Sequence, residues 1–365
     1  MNIPERYEDV TAEWLTEALR SGGVIGDQTV SKFEVHPLGA DVSRTSSLAR
    51  ITVEYDGQSD GLPDSMFVKF VSRIPGNRAF FASRGLFRRE IELYKNLGDA
   101  IPMNMPKLYF GLAADDSDLA VIILEEIEAI SKASFPLEEQ PLTAGEAKLA
   151  LRELSKMHAK WWDDQALDEY EWLLRVDNDN RMSQYQSYDE AWAKMREVVE
   201  PALTSAEIQL CSRLSSYHST LISELKSMPA TLRHGDFTFQ NLLWDETGEP
   251  ETVWVIDWQG TGVGPAILDV SWFLGLGVTK TDLHGVGEDY LPEYHNTLIR
   301  GGVTGYEYNQ LLSDYKRGLL DGLTKVVVLL ANLDLAREDA TEFVRLLVGN
   351  MAATAVDAGC ADLIS

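Results

Sequence analysis

The chain has 365 residues, of which 45% are hydrophobic and 25% are charged, and this composition predicts a globular protein with a sizeable core. Its formal net charge of −26 argues against a nucleic-acid partner, because phosphate binding needs a basic surface. The first residues show no secretory signal, and the longest aliphatic run near the end, at 326–331, is far too short to span a membrane, so we expect no membrane partner.

The N-terminal part of the sequence predicts a small antiparallel sheet that carries one main helix. Residues 11–21 have the apolar spacing of a short amphipathic helix. Alternating or β-branched residues then predict three strands, at 31–39, 46–56 and 65–71. A helix at about 83–97 and a strand at 119–126 complete this part.

The rest of the chain is predicted to be mainly helical. Thr143 and Glu146 have the spacing of a capping box at the start of a helix, and so do Thr204 and Glu207, whose helix we expect to continue to about residue 225. Past residue 265 helical patterns continue to the end. We therefore predict an α+β fold with a β-rich N-terminal domain, 1–126, and a helical C-terminal domain, 127–365.

Polar residues stand at the ends of strand-like runs in residues 231–259, which read TLRHGDFTFQNLLWDETGEPETVWVIDWQ. A loop can point Asp236 and Asn241 toward one spot, and a hairpin can bring Asp257 beside Asn241. A carboxylate that accepts a proton, with amide and carboxylate oxygens that hold Mg²⁺, is what phosphoryl transfer requires. The alternative is an ordinary turn, in which Asp and Asn are common.

The segment HGDFTFQN resembles the catalytic loop of the aminoglycoside phosphotransferase and choline kinase families, and IDWQ resembles their metal-binding element. The likeness is strongest to the ecdysteroid-kinase-like (CHK kinase-like) branch and its bacterial members, through MHAKWW, HGDFTFQNLLWD, IDWQGTGVGPAILDVSWFL and GYEYNQLLSDYKRGLL. The resemblance implies a two-lobed protein-kinase-like fold with ATP and Mg²⁺ as cofactors. It also implies that Asp236 is the catalytic base, that Asn241 and Asp257 bind the metal, and that His234 is structural.

Such a fold needs a lysine on the third strand and a glutamate on the following helix. Lys69 lies in the predicted strand 65–71, and Glu90 and Glu92 compete for the helix position. At about 100° per residue, Glu90 lies at the centre of an apolar stripe and Glu92 points away from it. A buried carboxylate needs a partner, so we predict that Glu90 pairs with Lys69. The alternatives are a solubilising Lys69 at a strand edge, and a pairing of Glu90 with Arg88 or Arg89.

The nucleotide-binding segments carry weaker signals. Residues 38–47, LGADVSRTSS, would form the phosphate loop through Gly39 and Ser43, although a plain hairpin turn is as good an interpretation. The resemblance places adenine against the backbone of four residues at the end of strand 119–126, namely Leu124, Glu125, Glu126 and Ile127.

Several conspicuous residues have structural interpretations. We expect His158 to be a hydrogen-bonded core residue, and Asp269 either to brace the catalytic loop or to begin a helix. The acidic stretch 163–171 is expected to be a solvated face. Aromatic residues between 161 and 192 could line an acceptor pocket, but helix packing is the better interpretation. Cys211 and Cys360 predict free thiols in a cytoplasmic protein.

The sequence therefore predicts an ATP- and Mg²⁺-dependent kinase of a small-molecule hydroxyl acceptor. A bulky, apolar alcohol is the preferred acceptor, and an aminoglycoside or a choline-like amine is the alternative. Two rivals stay open, a nucleotide-binding pseudokinase that acts as an adaptor and a metal-dependent hydrolase. The hydrolase is disfavoured because only six histidines are present and they form no further ligand pair.

Overall fold

The chain divides into two units in a computed structural model that describes residues 1–38, 46–128, 130–131, 142–245, 251–277, 286–331 and 338–364. The first unit comprises Met1–Ala129, Asp245–Pro250 and Trp254–Gly260. The second comprises Ile130–Trp244, Glu251–Val253 and Thr261–Ser365.

The first unit consists of an antiparallel sheet and three helices in the part of the chain before residue 129. In chain order its elements are α1 (Ala12–Ser21), β1 (Thr29–Pro37), β2 (Ser46–Asp56), β3 (Ser65–Val71), α2 (Pro75–Ser83), α3 (Leu86–Asn96), β4 (Leu108–Ala113) and β5 (Ala120–Glu125). The strands lie in the order β1-β2-β3-β5-β4, so β3 is the central strand.

The two faces of β3 lie in different environments, because only one of them packs into the apolar core of this unit. Met66, Val68 and Phe70 are fully buried in an apolar core that also contains Leu15 and Leu19 of α1. Successive side chains of a strand point to opposite faces, so Lys69 lies on the face away from this core.

Helix α3 packs closely on β4. A Cβ atom at Gly111 of β4 would lie only 3.0 Å from Cγ1 of Ile91 on α3, so a glycine at 111 permits this approach. The helix begins after Gly85, whose φ of 63° is in the left-handed region that favours glycine.

The second unit is mainly helical. In chain order, the elements after residue 129 are β6 (Ile130–Ser131), α4 (Ala144–Lys160), β7 (Leu174–Arg175), α5 (Asp179–Val199), α6 (Ser205–Arg213), α7 (His218–Ser227), β8 (Ala230–Arg233), β9 (Leu242–Asp245), β10 (Thr252–Val255), β11 (Gly262–Pro265), α8 (Ile267–Gly277), α9 (Val286–Arg300), α10 (Tyr308–Leu330) and α11 (Glu338–Asp357). Two short sheets, ordered β10-β9-β6 and β7-β11-β8, interrupt the helices.

Both predicted capping boxes are present. The Thr143 hydroxyl accepts from the Glu146 N–H at 3.3 Å, and the Glu146 carboxylate accepts from the Thr143 N–H at 2.7 Å. Thr204 and Glu207 make the same reciprocal pair at the start of α6, at 3.3 and 2.8 Å. These hydrogen bonds satisfy N–H groups that have no partner within the first turn of a helix.

The predicted α+β fold, with a small antiparallel sheet and a larger helical part, is confirmed, and the differences lie in single elements. The expected helix at about 83–97 begins at Leu86, after a separate α2, and the sheet gains β4, which the sequence did not predict. The helix expected to run from 207 to about 225 is broken by a 3₁₀ turn at Leu214–Tyr217. None of the described helices combines the length and the apolar composition that a membrane span requires. Cys211 and Cys360 are free thiols, and both are buried.

Candidate active site

Lys69 forms two ion pairs within the first unit. Its Nζ atom lies 2.9 Å from Oε2 of Glu90 and 2.8 Å from Oδ1 of Asp257. The side chains of Lys69 and Glu90 are only 6% and 1% exposed, whereas that of Asp257 is 33% exposed. Burial alone would lower the pKa of Lys69, but the two carboxylates outweigh burial and raise it. Lys69 therefore keeps its positive charge.

The pairing of Lys69 with Glu90 follows from the apolar stripe of α3, as the sequence predicts. Phe87 and Tyr94, which share the stripe with Glu90, are both buried. Burial raises the pKa of Glu90, and the Lys69 ammonium acts in the opposite direction. Glu92 instead accepts a hydrogen bond from the side chain of Asn96 at 3.0 Å.

The two alternative interpretations of this region are wrong. Lys69 lies on the central strand and not at a sheet edge. Arg88 pairs with Asp115 at 2.8 Å, and Arg89 donates to the backbone carbonyls of Arg84 and Gln259, both at 2.7 Å. Neither arginine takes the place of Lys69.

Asp257 has an unusual backbone conformation. Its φ is 62°, in the left-handed region that residues other than glycine seldom adopt. The next residues form a 3₁₀ turn, Trp258–Gly260, and the Arg89 bond to Gln259 ties this turn to α3. Residues held in such conformations cluster at functional sites. No sequence pattern predicts the Arg89 contact.

Asp236 and Asn241 lie together on the loop between β8 and β9 in the second unit. The Asn241 side-chain amide donates to the Asp236 backbone carbonyl at 2.8 Å and lies 3.4 Å from its Oδ2 atom. The Asp236 carboxylate is 48% exposed, so it is open to a second molecule.

Two residues that the sequence analysis missed also contact this loop. The indole N–H of Trp272, on α8, donates to Oδ1 of Asp236 at 2.9 Å. Lys325, on α10, donates to the Gly235 carbonyl at 3.0 Å, and its Nζ lies 3.8 Å from Oδ1 of Asp236. No local motif marks either residue.

Asp269 braces the same loop from the first turn of α8. Its carboxylate accepts from the N–H groups of His234, at 2.7 Å, and Gly235, at 3.0 Å. Burial alone would raise the pKa of Asp269, but His158 and Arg233 nearby hold it at about 2. Both interpretations of Asp269 therefore apply, because it starts a helix and braces the loop.

The two histidines near this loop are core residues. His158 is fully buried, and its Nδ1 lies 2.7 Å from the Tyr294 hydroxyl; burial lowers the pKa of His158. His234 is also fully buried, and its Nδ1 accepts from the Asp236 N–H at 3.2 Å. That nitrogen is therefore not available to a metal, which argues against the hydrolase.

The segments expected to contact the nucleotide are only partly described. Gly39 and Ser43 lie outside the described residues. Leu124 and Glu125 end β5, where Glu125 pairs with Lys107 at 3.8 Å, and Glu126 and Ile127 follow without strand pairing. Glu126 pairs with Arg50 of β2 at 2.7 Å.

The aromatic residues between 161 and 192 mostly pack in the core of the second unit. Trp161, Tyr185, Tyr188 and Trp192 are each less than 9% exposed. The Tyr188 hydroxyl donates to the Cys211 carbonyl at 2.9 Å, and the Trp192 indole donates to the Ser212 hydroxyl at 3.3 Å. Both polar contacts are made with α6, so helix packing explains the buried members of the cluster.

Asn241 and Asp257 carry the oxygen atoms that Mg²⁺ prefers. The Asn241 amide nitrogen is directed to Asp236, which leaves its oxygen to face elsewhere. Asp257 uses Oδ1 for Lys69, and its second oxygen has lone pairs for an ion. In the described part of the chain, no group of three or more His, Cys, Asp or Glu side chains could hold a metal. Each of the two residues therefore carries an oxygen atom of the kind that Mg²⁺ binds.

Comparison with known proteins extends these observations. A model of the Ecdysteroid kinase-like family matches residues 44–302. A search of curated proteins found no match.

Several solved structures have a similar fold. One is a Ralstonia eutropha JMP134 protein that is provisionally described as an aminoglycoside phosphotransferase. It is 14% identical, the match covers 90% of this chain and 94% of that chain, and the TM-score is 0.54. The GDP and kanamycin complex of APH(2″)-IIIa has 13% identity, coverage of 92% and 97%, and a TM-score of 0.54. Choline kinase from Cryptosporidium parvum Iowa II has 12% identity, coverage of 92% of both chains and a TM-score of 0.51.

The fold and the family match define the class of the protein. It is a small-molecule kinase, an enzyme that phosphorylates an alcohol group, and it has a two-lobed protein-kinase-like fold. Since the family model covers well over half of the sequence, the chain belongs to the Ecdysteroid kinase-like family.

Proposed function

We propose that the protein transfers the γ-phosphoryl group of ATP to a hydroxyl group of a bulky, uncharged alcohol. The observation that carries the proposal is the pairing of Lys69 with both Glu90 and Asp257, at 2.9 and 2.8 Å. A buried ammonium that is paired with one buried carboxylate and one carboxylate that is 33% exposed is suited to bind phosphate oxygens.

In this proposal the first unit binds the nucleotide. Lys69, fixed by Glu90, binds the α- and β-phosphates, while Gly39 and Ser43 belong to the phosphate loop. The adenine lies against the backbone of residues 124–127. Asp257 and Asn241 would each offer an oxygen atom to Mg²⁺, which would neutralise charge on the phosphate oxygens.

Asp236 acts on the acceptor. The acceptor hydroxyl donates to the Asp236 carboxylate, which fixes the oxygen for attack on the γ-phosphorus. As the new P–O bond forms, the bond from the γ-phosphorus to the bridging oxygen breaks and ADP leaves. The hydroxyl proton passes to Asp236. Asp236 is suited to this step because its carboxylate is half exposed and is held by Trp272.

The charges near Asp236 favour an uncharged acceptor. The Lys325 ammonium lies 3.8 Å from Oδ1 of Asp236 and is 22% exposed, so it would repel a cationic group close to the reacting hydroxyl. Family membership favours a steroid-like alcohol. An aminoglycoside or choline-like acceptor is the alternative, supported by the folds of enzymes that act on such compounds and by the net charge of −26.

A pseudokinase is less well supported, because Lys69, Glu90, Asp236, Asn241 and Asp257 are all present. A cytoplasmic location also belongs to the proposal, since ATP is found there and free thiols persist in reducing conditions.

The proposal is tested by ADP release from ATP and Mg²⁺ with an ecdysteroid, kanamycin or choline as acceptor. We expect the ecdysteroid to stimulate ADP release, and D236N to lower turnover by about 10²–10⁴-fold while still binding ATP. D357N, an exposed change at the end of α11, should behave as wild type. If only kanamycin or choline stimulates ADP release, the acceptor is an amine and not a bulky, uncharged alcohol. If no acceptor stimulates ADP release, the result supports the pseudokinase.

A further inference from the structure

Oδ1 of Asp236 has protein partners that the proposed chemistry does not require. The Trp272 indole N–H donates to it at 2.9 Å, and the Lys325 ammonium lies 3.8 Å away. Oδ2 lies 3.4 Å from the Asn241 amide. A carboxylate held through one oxygen presents the other in a fixed direction, and fixed direction is what a catalytic base needs.

Lys325 makes three contacts around this carboxylate. Besides its approach to Asp236, it donates to the Gly235 carbonyl at 3.0 Å. Its Nζ also lies 3.8 Å from the centre of the Trp272 ring, within the range of a cation–π interaction. The ammonium thus links the peptide before Asp236 to the indole that holds Oδ1. Partial burial lowers the pKa of Lys325, because removal from water disfavours the charged form.

The packing of α8 on α10 brings these two side chains together. A Cβ atom at Gly318 of α10 would lie 2.4 Å from the Ser271 hydroxyl oxygen of α8, so the helices approach closely only because 318 is glycine. Lys325 follows Gly318 by seven residues and therefore lies on the same face of α10. Trp272 follows Ser271 directly. Two rigid helices thus position the contact, which makes it more precise than a contact made by a loop.

We propose that Lys325 is a positioning residue for Asp236, acting through the Gly235 carbonyl and the Trp272 indole. The inference rests on the proposed function, in which Asp236 is the base. Lys325 holds the loop so that Oδ1 stays on Trp272 and Oδ2 faces the acceptor hydroxyl. Its effect is on the rate of phosphoryl transfer and not on the binding of ATP.

The kinetic test compares K325M, which removes the charge, with K325R, which keeps it. With the panel acceptor that wild type uses best, K325M should lower kcat about 10–100-fold while KM for ATP changes less than about threefold. K325R should recover most of the rate, because a guanidinium can stack on Trp272 and donate to Gly235. K316M, a change to a half-buried lysine on the same helix, is the matched control and should behave as wild type.

W272F provides a second variant, because it removes the N–H donor and keeps a ring for Lys325. It should lower kcat without raising KM for ATP. A wild-type kcat in K325M and W272F would overturn the proposal. A raised KM for ATP with unchanged kcat in K325M would also overturn it and would assign Lys325 to the nucleotide.

A crystal structure of K325M tests the proposal without turnover. We expect the Asp236 carboxylate to leave Trp272 or to occupy more than one orientation. A single carboxylate position, still hydrogen-bonded to Trp272 as in wild type, would overturn the inference. If wild type shows no turnover with any acceptor, the proposed function fails, while this structural comparison still decides the role of Lys325.

Discussion

At the scale of single residues, the two ion pairs of Lys69 differ in how far the carboxylate partner is buried. Glu90 is almost fully buried, and Asp257 is one-third exposed. A buried charge that loses its partner is costly, whereas an exposed partner can be replaced by water. Glu90 should therefore matter for stability as well as for function, and Asp257 mainly for function.

We predict that E90Q destabilises the protein by about 1–3 kcal/mol, because the buried Lys69 loses one of its two charged partners. ATP binding should weaken as well, since Lys69 is no longer fixed. Urea unfolding and a nucleotide-binding titration measure the two effects. E92Q is the matched control two positions along α3, and its stability should change by less than about 0.5 kcal/mol. Equal effects of the two substitutions would contradict the prediction.

Local patterns predicted one part of the site and missed another. The choice of Glu90 over Glu92 needed only the geometry of one helix, and the 234–241 motif marked Asp236 and Asn241. Trp272 and Lys325 contact the Asp236 loop from positions 36 and 90 residues away, and Arg89 contacts Gln259 across 170 residues. Such contacts depend on how helices pack, which a single sequence does not specify.

At the scale of elements, the two capping boxes give a direct test of local stabilisation. T143A and T204A should each cost about 1 kcal/mol, because each leaves one N–H group of a first turn, that of Glu146 or Glu207, without its acceptor. Chemical denaturation measures the change. T220A, on an exposed part of α7, is the control and should be neutral or slightly stabilising, since alanine has the higher helix propensity. If T220A lost as much unfolding free energy as the cap variants, the threonine side chains would stabilise the helices by something other than capping.

The elements also show where sequence patterns fail. The starts of α4 and α6 are encoded by side chains within four residues, so they were predictable. The 3₁₀ turn at Leu214–Tyr217 was not, because its apolar residues continue the helical spacing; Leu214 and Tyr217 are both buried. Strand β4, LYFGLA, was missed because Gly111 interrupts its apolar run, and its pairing with β5 defines it.

At the scale of the whole molecule, buried histidines make the fold sensitive to acid. His218 is 7% exposed, its Nε2 lies 3.0 Å from the Thr324 hydroxyl, and burial lowers its pKa to about 4. In the unfolded chain a histidine binds a proton below about pH 6.5. Between pH 6.5 and 4 the unfolded state therefore binds more protons, and stability falls as the pH falls.

The expected loss from His218 over this range is about 3 kcal/mol. Free energies of unfolding measured from pH 7 to pH 4 should show the decline, and H218Q should make it shallower. H36Q, at an exposed position on β1, is the control and should keep the wild-type slope. An unchanged slope in H218Q would contradict the assignment. His158, also buried with a lowered pKa, acts in the same direction.

The net charge of −26 predicts a response to salt. Like charges repel one another more in the folded chain than in the unfolded chain. At 0.1 M salt, this repulsion is largely screened between charges that are more than about 10 Å apart. The melting temperature should therefore rise when sodium chloride is increased from about 10 mM to about 200 mM. A fall over that range would mean that attractive surface pairs outweigh the repulsion.

The left-handed backbone of Asp257 limits how its contribution can be measured. Alanine at this position would remove the carboxylate and would also adopt the left-handed conformation less readily than aspartate, because it has no polar side chain that can hydrogen-bond locally. A loss of activity in that variant could then come either from the missing charge or from a changed main chain. Asparagine, which accepts this conformation more readily, removes the charge alone, and glycine relieves the strain while deleting the side chain. Comparing D257N with D257G would separate the two effects.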